Sequence, residues 1–378
     1  MQCSLYYAII IFVFVGAAVL GSLVNKYANM QESVGIDGEV RLFQHPFIQS
    51  SVGAFGMFMN LVLFNVLYFC FKCKSETLPD EHLLTRGNRH FNVFIFLLPG
   101  IFELIATTSL VVGLLFTYVS SLAMLRSSMI VFTALLSYFV FGHVPHWRET
   151  SGIIFVILGV VLVGLSDYED RKESGEKDTT SIILGDGMAV VGSFLAGCQV
   201  VLEEKYLKKY DIPPLQAAGW EGLFGFIIMI PVHLIFYFIP VGYPLGVNSR
   251  GTLGDFPDGC VQVYNNWKIG VTLIIKIFTM ASFNFCGLTV SKEMSSTTNK
   301  VLDSMRILPL WICSIAFFGQ KFQFIQLIGF FLLMLGQALY NDIGCTSMER
   351  KCCPKRIIEE EDEHTMSMRR RISPVLEG

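Results

Sequence analysis

Phe91-Asn-Val-Phe-Ile-Phe-Leu-Leu-Pro-Gly-Ile-Phe-Glu-Leu-Ile-Ala-Thr-Thr-Ser-Leu-Val-Val-Gly-Leu114 carries a single charged residue, Glu103. As a helix, this run is long enough to cross a hydrocarbon core of about 30 Å, which takes about 20 apolar residues. A soluble helix would keep one polar face, and none is present. The stretch therefore reads as a membrane-spanning helix with an acid near its middle.

Working outward, the same test finds nine more runs bounded by polar or turn residues. The ten approximate spans are 4–24, 48–71, 91–114, 119–141, 149–166, 182–204, 217–239, 269–289, 295–318 and 322–341. The weakest boundary is the one after 114, where Thr117 to Ser121 alone interrupts a long apolar stretch. A re-entrant or broken hairpin is the other reading there. The first run, Tyr6 to Leu20, has the apolar core of a signal peptide, but no Ala-x-Ala site follows and nine further spans do, so it reads as helix 1.

Composition agrees. Of 378 residues, 53% are hydrophobic and 16% charged, whereas soluble domains carry about a quarter charged residues. Mean hydropathy is +0.55. No basic stripe interleaved with aromatics suggests nucleic acid. Cys70, Cys198, Cys286 and Cys313 lie inside apolar runs, where cysteine acts as a small hydrophobe, so a disulfide framework is not expected. Cys260 lies in the long Gly- and Pro-containing connection from 241 to 267 and is expected to lack an intramolecular partner. Cys345, Cys352 and Cys353 stand beside Arg350 and Lys351, a juxtamembrane setting open to palmitoylation or to plain reduced thiols.

Two halves of the chain align. Leu23-Val-Asn-Lys-Tyr27 matches Leu202-Glu-Glu-Lys-Tyr206, and Gly53-Ala-Phe-Gly-Met57 matches Gly222-Leu-Phe-Gly-Phe226. Leu122-Ala-Met-Leu-Arg126 matches Leu302-Asp-Ser-Met-Arg306, while Gly152 and Gly159 match Gly329 and Gly336. Four matches in one order at a nearly constant offset indicate an internal repeat. Five helices per half is an odd number, so the second half enters the membrane from the opposite side. The expected fold is thus an all-α integral membrane protein of ten transmembrane helices in two inverted five-helix repeats, over 1–170 and 171–345. Residues 346–378, with Glu359-Glu-Glu-Asp-Glu363 and Arg369-Arg-Arg371, read as a disordered cytosolic tail. Gly53, Gly56, Gly159, Gly222, Gly225 and Gly336 are the expected helix-packing positions.

Charges at bilayer depth cost at least about 2.5 kcal/mol each on insertion scales, which makes them candidates for function. Arg126 and Arg306 occupy equivalent repeat positions. Either they face a central cavity and bind an anionic group, or they pair locally, Arg306 with Asp303 three residues before it. Glu103 and Lys276 are likewise equivalent; Glu103 is either a proton-coupling acid or a static partner of Arg126. Glu203, Glu204 and Lys205, with Glu221, read either as a solvated helix end or as a cytosolic gate. Seven histidines show no metal-ligand spacing, and nothing suggests a catalytic residue, an enzyme or a cofactor.

Phe43-Gln-His-Pro-Phe47, Val201-Leu-Glu-Glu-Lys-Tyr206, Gly219-Trp-Glu-Gly-Leu-Phe-Gly225, Arg250-Gly-Thr-Leu253, Phe283-Asn-Phe285 and Val301-Leu-Asp-Ser-Met-Arg306 together resemble subfamily F of solute carrier family 35, in the drug/metabolite transporter superfamily. The resemblance covers 1–345 and not the tail. It implies ten helices, cytosolic termini and residence in lysosomal, endosomal or other endomembranes, with Golgi or mitochondrion as alternatives. It is similar in plan to chloroquine-resistance-type transporters, which carry peptides or cationic drugs. The Gly-Ala-Leu-Asn-Lys pattern of sugar-nucleotide carriers is absent, so that substrate class does not transfer.

The expected function is a secondary-active solute carrier, a multi-pass membrane transporter moving a small polar or charged organic solute, with proton coupling open. The competing expectation is a non-transporting scaffold that binds a partner protein such as a mitochondrial carrier. With cytosolic termini, seventeen of the 28 Lys and Arg fall on the cytosolic side, eight opposite and three within spans. This asymmetry favours that orientation. Tags at residues 1 and 378 are both expected to bind antibody after selective plasma-membrane permeabilisation; protection of either tag contradicts the helix count or the orientation.

Overall fold

The computed structural model describes residues 2–74, 87–141, 146–173, 179–241, 250–293, 299, 302–319 and 324–340. Twelve helices are set out here in chain order: α1 (Gln2–Asn29), α2 (Pro46–Lys74), α3 (Leu97–Phe116), α4 (Val119–Leu125), α5 (Met129–Phe141), α6 (Trp147–Glu173), α7 (Thr179–Tyr210), α8 (Pro214–Phe238), α9 (Phe256–Asn265), α10 (Trp267–Glu293), α11 (Ile307–Phe318) and α12 (Phe324–Tyr340). Among the described residues, eight stretches are long and apolar enough to cross a membrane, from Tyr6–Asn29 through Trp267–Glu293. The apolar helices α11, with 12 residues, and α12, with 17, are shorter than that measure. The 346–378 tail and its cysteines lie outside the described residues.

Local chemistry sets the element ends. The apolar stretch after Phe116 breaks at Thr117 and Tyr118, both extended, so α3 and α4 are separate helices. A 3-10 turn at Arg126–Ser128 then divides α4 from α5, which places Arg126 at the break rather than inside a regular helix. Gly319 ends α11 at φ +65°, a left-handed conformation that glycine adopts without strain.

The helices pack in pairs: α1 on α10, α3 on α7, α2 on α8, α6 on α12 and α4 on α11. Between helices in lipid there is little hydrophobic driving force, so close backbone approach at small residues does the holding. A Cβ at Gly222 would lie 2.2 Å from the Phe58 backbone nitrogen, and one at Gly56 2.5 Å from the Ile277 carbonyl oxygen. Gly159 and Gly336 face the opposite helix of the α6–α12 pair, where a Cβ would come within 2.9 Å of Gly329 O and 2.7 Å of Gly152 O. Gly53 and Gly225 are looser. Their added Cβ atoms would make ordinary contacts, 3.5 Å from Lys276 Cε and 3.4 Å from Ala54 Cβ.

One element is absent from the sequence reading. A hairpin of β1 (Glu32–Val34) and β2 (Val40–Leu42), in the register Glu32↔Leu42 and Val34↔Val40, caps one end of the bundle. It is fastened to α9. Ser33 Oγ donates to the Gln262 carbonyl at 2.7 Å, and Asn265 and Asn266 donate to Val34 O and Glu32 O, each at 2.9 Å. Buried Asp258 accepts from the Ile36 N–H at 2.8 Å, with His45 Nε2 at 3.5 Å and Arg41 Nη2 at 3.7 Å. His45 foremost, and then the Ile36 N–H and Arg41, hold the Asp258 carboxyl below the usual carboxylate range.

Two outcomes follow from this packing. Gly222→Ala forces α2 and α8 apart and is expected to destabilise the bundle by about 1–3 kcal/mol, as overpacking does, whereas Gly225→Ala is tolerated. Thermal unfolding of the purified variants checks the contrast; equal midpoints contradict it. Because the Asp258 value is depressed on folding, its contribution is present above the ordinary carboxylate pKa of about 4 and is lost as pH falls through the depressed value. Asp258→Asn is therefore expected to lower the thermal midpoint at neutral pH and to flatten its fall below about pH 4.

Candidate functional site

The end-to-end pairing of helices leaves polar residues converging at the centre. A cavity of about 100 Å³ lies between α1, α3, α4 and α10, and is lined by Ser22, Asn25, Glu103, Arg126, Thr279 and Arg306 among others. A second space of about 50 Å³ adjoins it, walled by Glu103, Arg126, Gln199, Glu203, Asn284 and Asp303. Glu103 and Arg126 thus stand at the partition between the two.

The charges at the partition are tied together. Asp303 Oδ2 lies 3.2 Å from Arg306 Nη2 and 3.5 Å from Arg126 Nε. One carboxylate therefore serves two guanidinium groups, and Arg306 both pairs locally with Asp303 and lines the cavity. The account of Arg126 changes as well. No opposite charge stands on its own helix, yet Asp303 reaches it from across the bundle. Glu103 is within electrostatic reach of Arg126, but its Oε1 accepts from Thr107 Oγ1 at 2.9 Å and no Glu103–Arg126 ion pair forms among the described residues.

Two guanidiniums, Arg126 and Arg306, and the carboxylates of Asp303 and Glu103 thus stand around the two spaces. Arg126 Nε, Arg306 Nε and Asn25 Oδ1 are buried there without hydrogen-bond partners. Buried donors and acceptors of this kind cost about 1–3 kcal/mol each unless water or a ligand satisfies them. The arrangement can hold a small solute with an anionic or hydrogen-bonding group.

Lys276 is not brought to this site. It is 1% exposed on α10, its Nζ has no hydrogen-bond partner, and it lines neither cavity. Glu103 and Lys276 therefore occupy matching sequence positions without sharing a space. The Glu203, Glu204, Lys205 and Glu221 set also divides. α7 runs on to Tyr210, so the first three do not end the helix. Glu203 is buried and bonded to Gln199, while Glu204 pairs with Lys208 on the surface at 2.6 Å and Lys205 is exposed. Glu221 is 1% exposed beside the Glu203 side chain, and it shares a small space with Glu103 beside Gly222.

Thr107 and Gln199 were not singled out in the sequence. Each is a polar residue one turn from an acid in an apolar span, and that i, i+4 spacing is the signal that finds them. Among the described residues no His, Cys, Asp and Glu group is arranged to hold a metal.

The model of solute carrier family 35, subfamily F, matches residues 43–238. Solute carrier family 35 member F6 of Homo sapiens is 34% identical over 92% of this chain and 92% of its own length. Its counterpart in Rattus norvegicus is 35% identical over 86% of this chain and 85% of its own. The chain belongs to solute carrier family 35. An uncharacterised protein of Schizosaccharomyces pombe is 30% identical over 65% of this chain and 73% of its own. A solved crystal structure at 13% identity aligns over 92% of this chain and 99% of its own with a TM-score of 0.52, a likeness of fold alone. As a member of solute carrier family 35 the protein is a multi-pass membrane protein of a transporter family, and its several long apolar helices accord with that class.

Proposed function

We propose that the protein is a secondary-active carrier that moves a small polar or charged organic solute across an endomembrane by alternating access. The observation that carries the reading is the central cavity lined by Glu103, Arg126 and Arg306. A scaffold that only binds a partner protein has no use for buried guanidiniums around an internal space, and would gain stability by packing it with apolar side chains. Residence in a lysosomal or endosomal membrane with both termini cytosolic completes the proposal, resting on family likeness and on the Lys and Arg asymmetry.

The helix pairing supports a ten-span bundle of two inverted five-helix repeats. Counting α4 with α5 as the fourth span and α11 as the last part of the ninth, α2 packs on α8 and α6 on α12, each helix against its sequence counterpart. The α1–α10 contact is mirrored by α7–α3, which is the same pair with the halves exchanged. Such cross-pairing is what a two-fold axis in the membrane plane produces, and carriers built so place their solute site at the interface of the halves. Arg126 and Arg306 meet at that interface on Asp303.

Arg126→Ala leaves Asp303 paired with Arg306, so the variant is expected to insert and fold. Uptake of a defined mixture of polar organic acids and amines into proteoliposomes, read by mass spectrometry, is expected to fall at least about tenfold, the effect of losing about 1.4 kcal/mol. Arg126→Lys keeps the charge without the planar fork and is expected to retain partial uptake. Full uptake by Arg126→Ala contradicts a solute-contacting role.

A further inference from the structure

Unlike ties join the helices at the two ends of the bundle. At the hairpin end, Lys26 of α1 reaches across to the end of α3. Its Nζ donates to the Leu114 carbonyl at 3.0 Å and to the Thr117 carbonyl at 3.1 Å. Leu114 and Thr117 are each 2% exposed. The last carbonyls of a helix lack intrahelical donors and carry the negative end of its dipole, so an ammonium there satisfies two acceptors and a partial charge together. The cavity lies directly beneath this contact, since Asn25 precedes Lys26 and Leu114 is itself one of its acceptors.

At the opposite end, where α7 meets α8, the equivalent contact is missing. Lys205 is the sequence counterpart of Lys26 in the Leu202-Glu-Glu-Lys-Tyr206 match, and it is exposed without an ion pair or hydrogen bond among the described residues. The tie there is Lys292 Nζ to Asp211 Oδ1 at 2.8 Å, with the Asp211 side chain 70% exposed. The Lys292 side chain is 11% exposed, so water reaches this pair from the carboxylate side and weakens it there. The two ties differ in kind: one uses buried carbonyls that find no substitute donor in an apolar setting, the other a carboxylate that stands in water and can be solvated in place of its partner.

We propose that Lys26 is the latch that holds the hairpin end of the bundle shut, so that the resting carrier opens at the opposite end through the weaker Lys292–Asp211 tie. The assignment rests on the carrier reading above. When the latch releases, the α3 carbonyls must be rehydrated, and that release is the step that exposes the solute site at the hairpin end. Lys205 is the residue placed to make the matching contact with the C-terminal carbonyls of α10 in the opposite state.

The test places a cysteine at Ser22 in the cavity wall and reads its labelling by a membrane-impermeant maleimide, applied from one side of oriented vesicles, with peptide mass spectrometry isolating position 22 from the native cysteines. With Lys26 intact, labelling is expected only from the opposite end; faster labelling from the hairpin side overturns the proposal. Lys26→Gln is expected to raise hairpin-side labelling at least about tenfold, with Lys26→Arg behaving as the parent and Lys205→Gln leaving that side unchanged. A folded Lys26→Gln protein that labels like the parent also overturns it, and where that variant fails to fold the parent's sidedness alone decides. Labelling reads access to the cavity whether or not any solute is carried, so its outcome is separate from that of the uptake assay.

Discussion

Two guanidinium groups held on one carboxylate, at the depth of a bilayer, set the terms for the rest of this molecule. Asp303 serves both Arg126 and Arg306 with Glu103 standing beside them, and such buried charges are expensive unless counter-charges, water or a ligand offset them. The centre of the bundle therefore cannot collapse into a dry apolar core. It keeps a space of about 100 Å³ with polar groups around its edge, the space in which the carrier reading places the solute.

The periphery is built on the opposite principle. Around the cavity, helices are drawn together at glycines until backbone touches backbone, at Gly222 on α2's Met57 and Phe58 and at Gly152 on α12's Gly336. These contacts carry no charge and no side-chain freedom, which makes them suitable pivots. A bundle that is tight at its α2–α8 and α6–α12 pairs and polar at its centre can rock about those pairs while the central contacts exchange.

Much of this was legible in the sequence because membrane spans write themselves as long apolar runs. Among the described residues eight apolar stretches long enough to span a membrane coincide with the first eight runs, and the break after Phe116 falls within the weak boundary already visible at Thr117 to Ser121. The hairpin was not legible. Its strands are three residues long, and the contacts that fix it run to α9 more than two hundred residues away. The same distance hid the tie between Arg126 and Asp303: local spacing points Asp303 at Arg306 alone, and only the packing of α4 against the segment before α11 brings Arg126 to it. Of the α7 charges, Glu203 departs from the solvated-end reading for a related reason. Glu203, Glu204 and Lys205 look like a frayed, solvated end, but the helix continues to Tyr210 and turns Glu203 inward onto Gln199.

The central claim is that the cavity opens alternately to the two ends, and distances across both ends of one molecule test it most directly. Spin labels would span the hairpin end between α1 and α3 in one preparation, and the opposite end between α7 and α10 in another, for double electron–electron resonance in lipid nanodiscs. The account predicts two distances at each end, with the populations at the two ends changing in opposite directions when a polar solute mixture is added. A single unchanging distance at both ends would contradict it and return the protein to the scaffold reading.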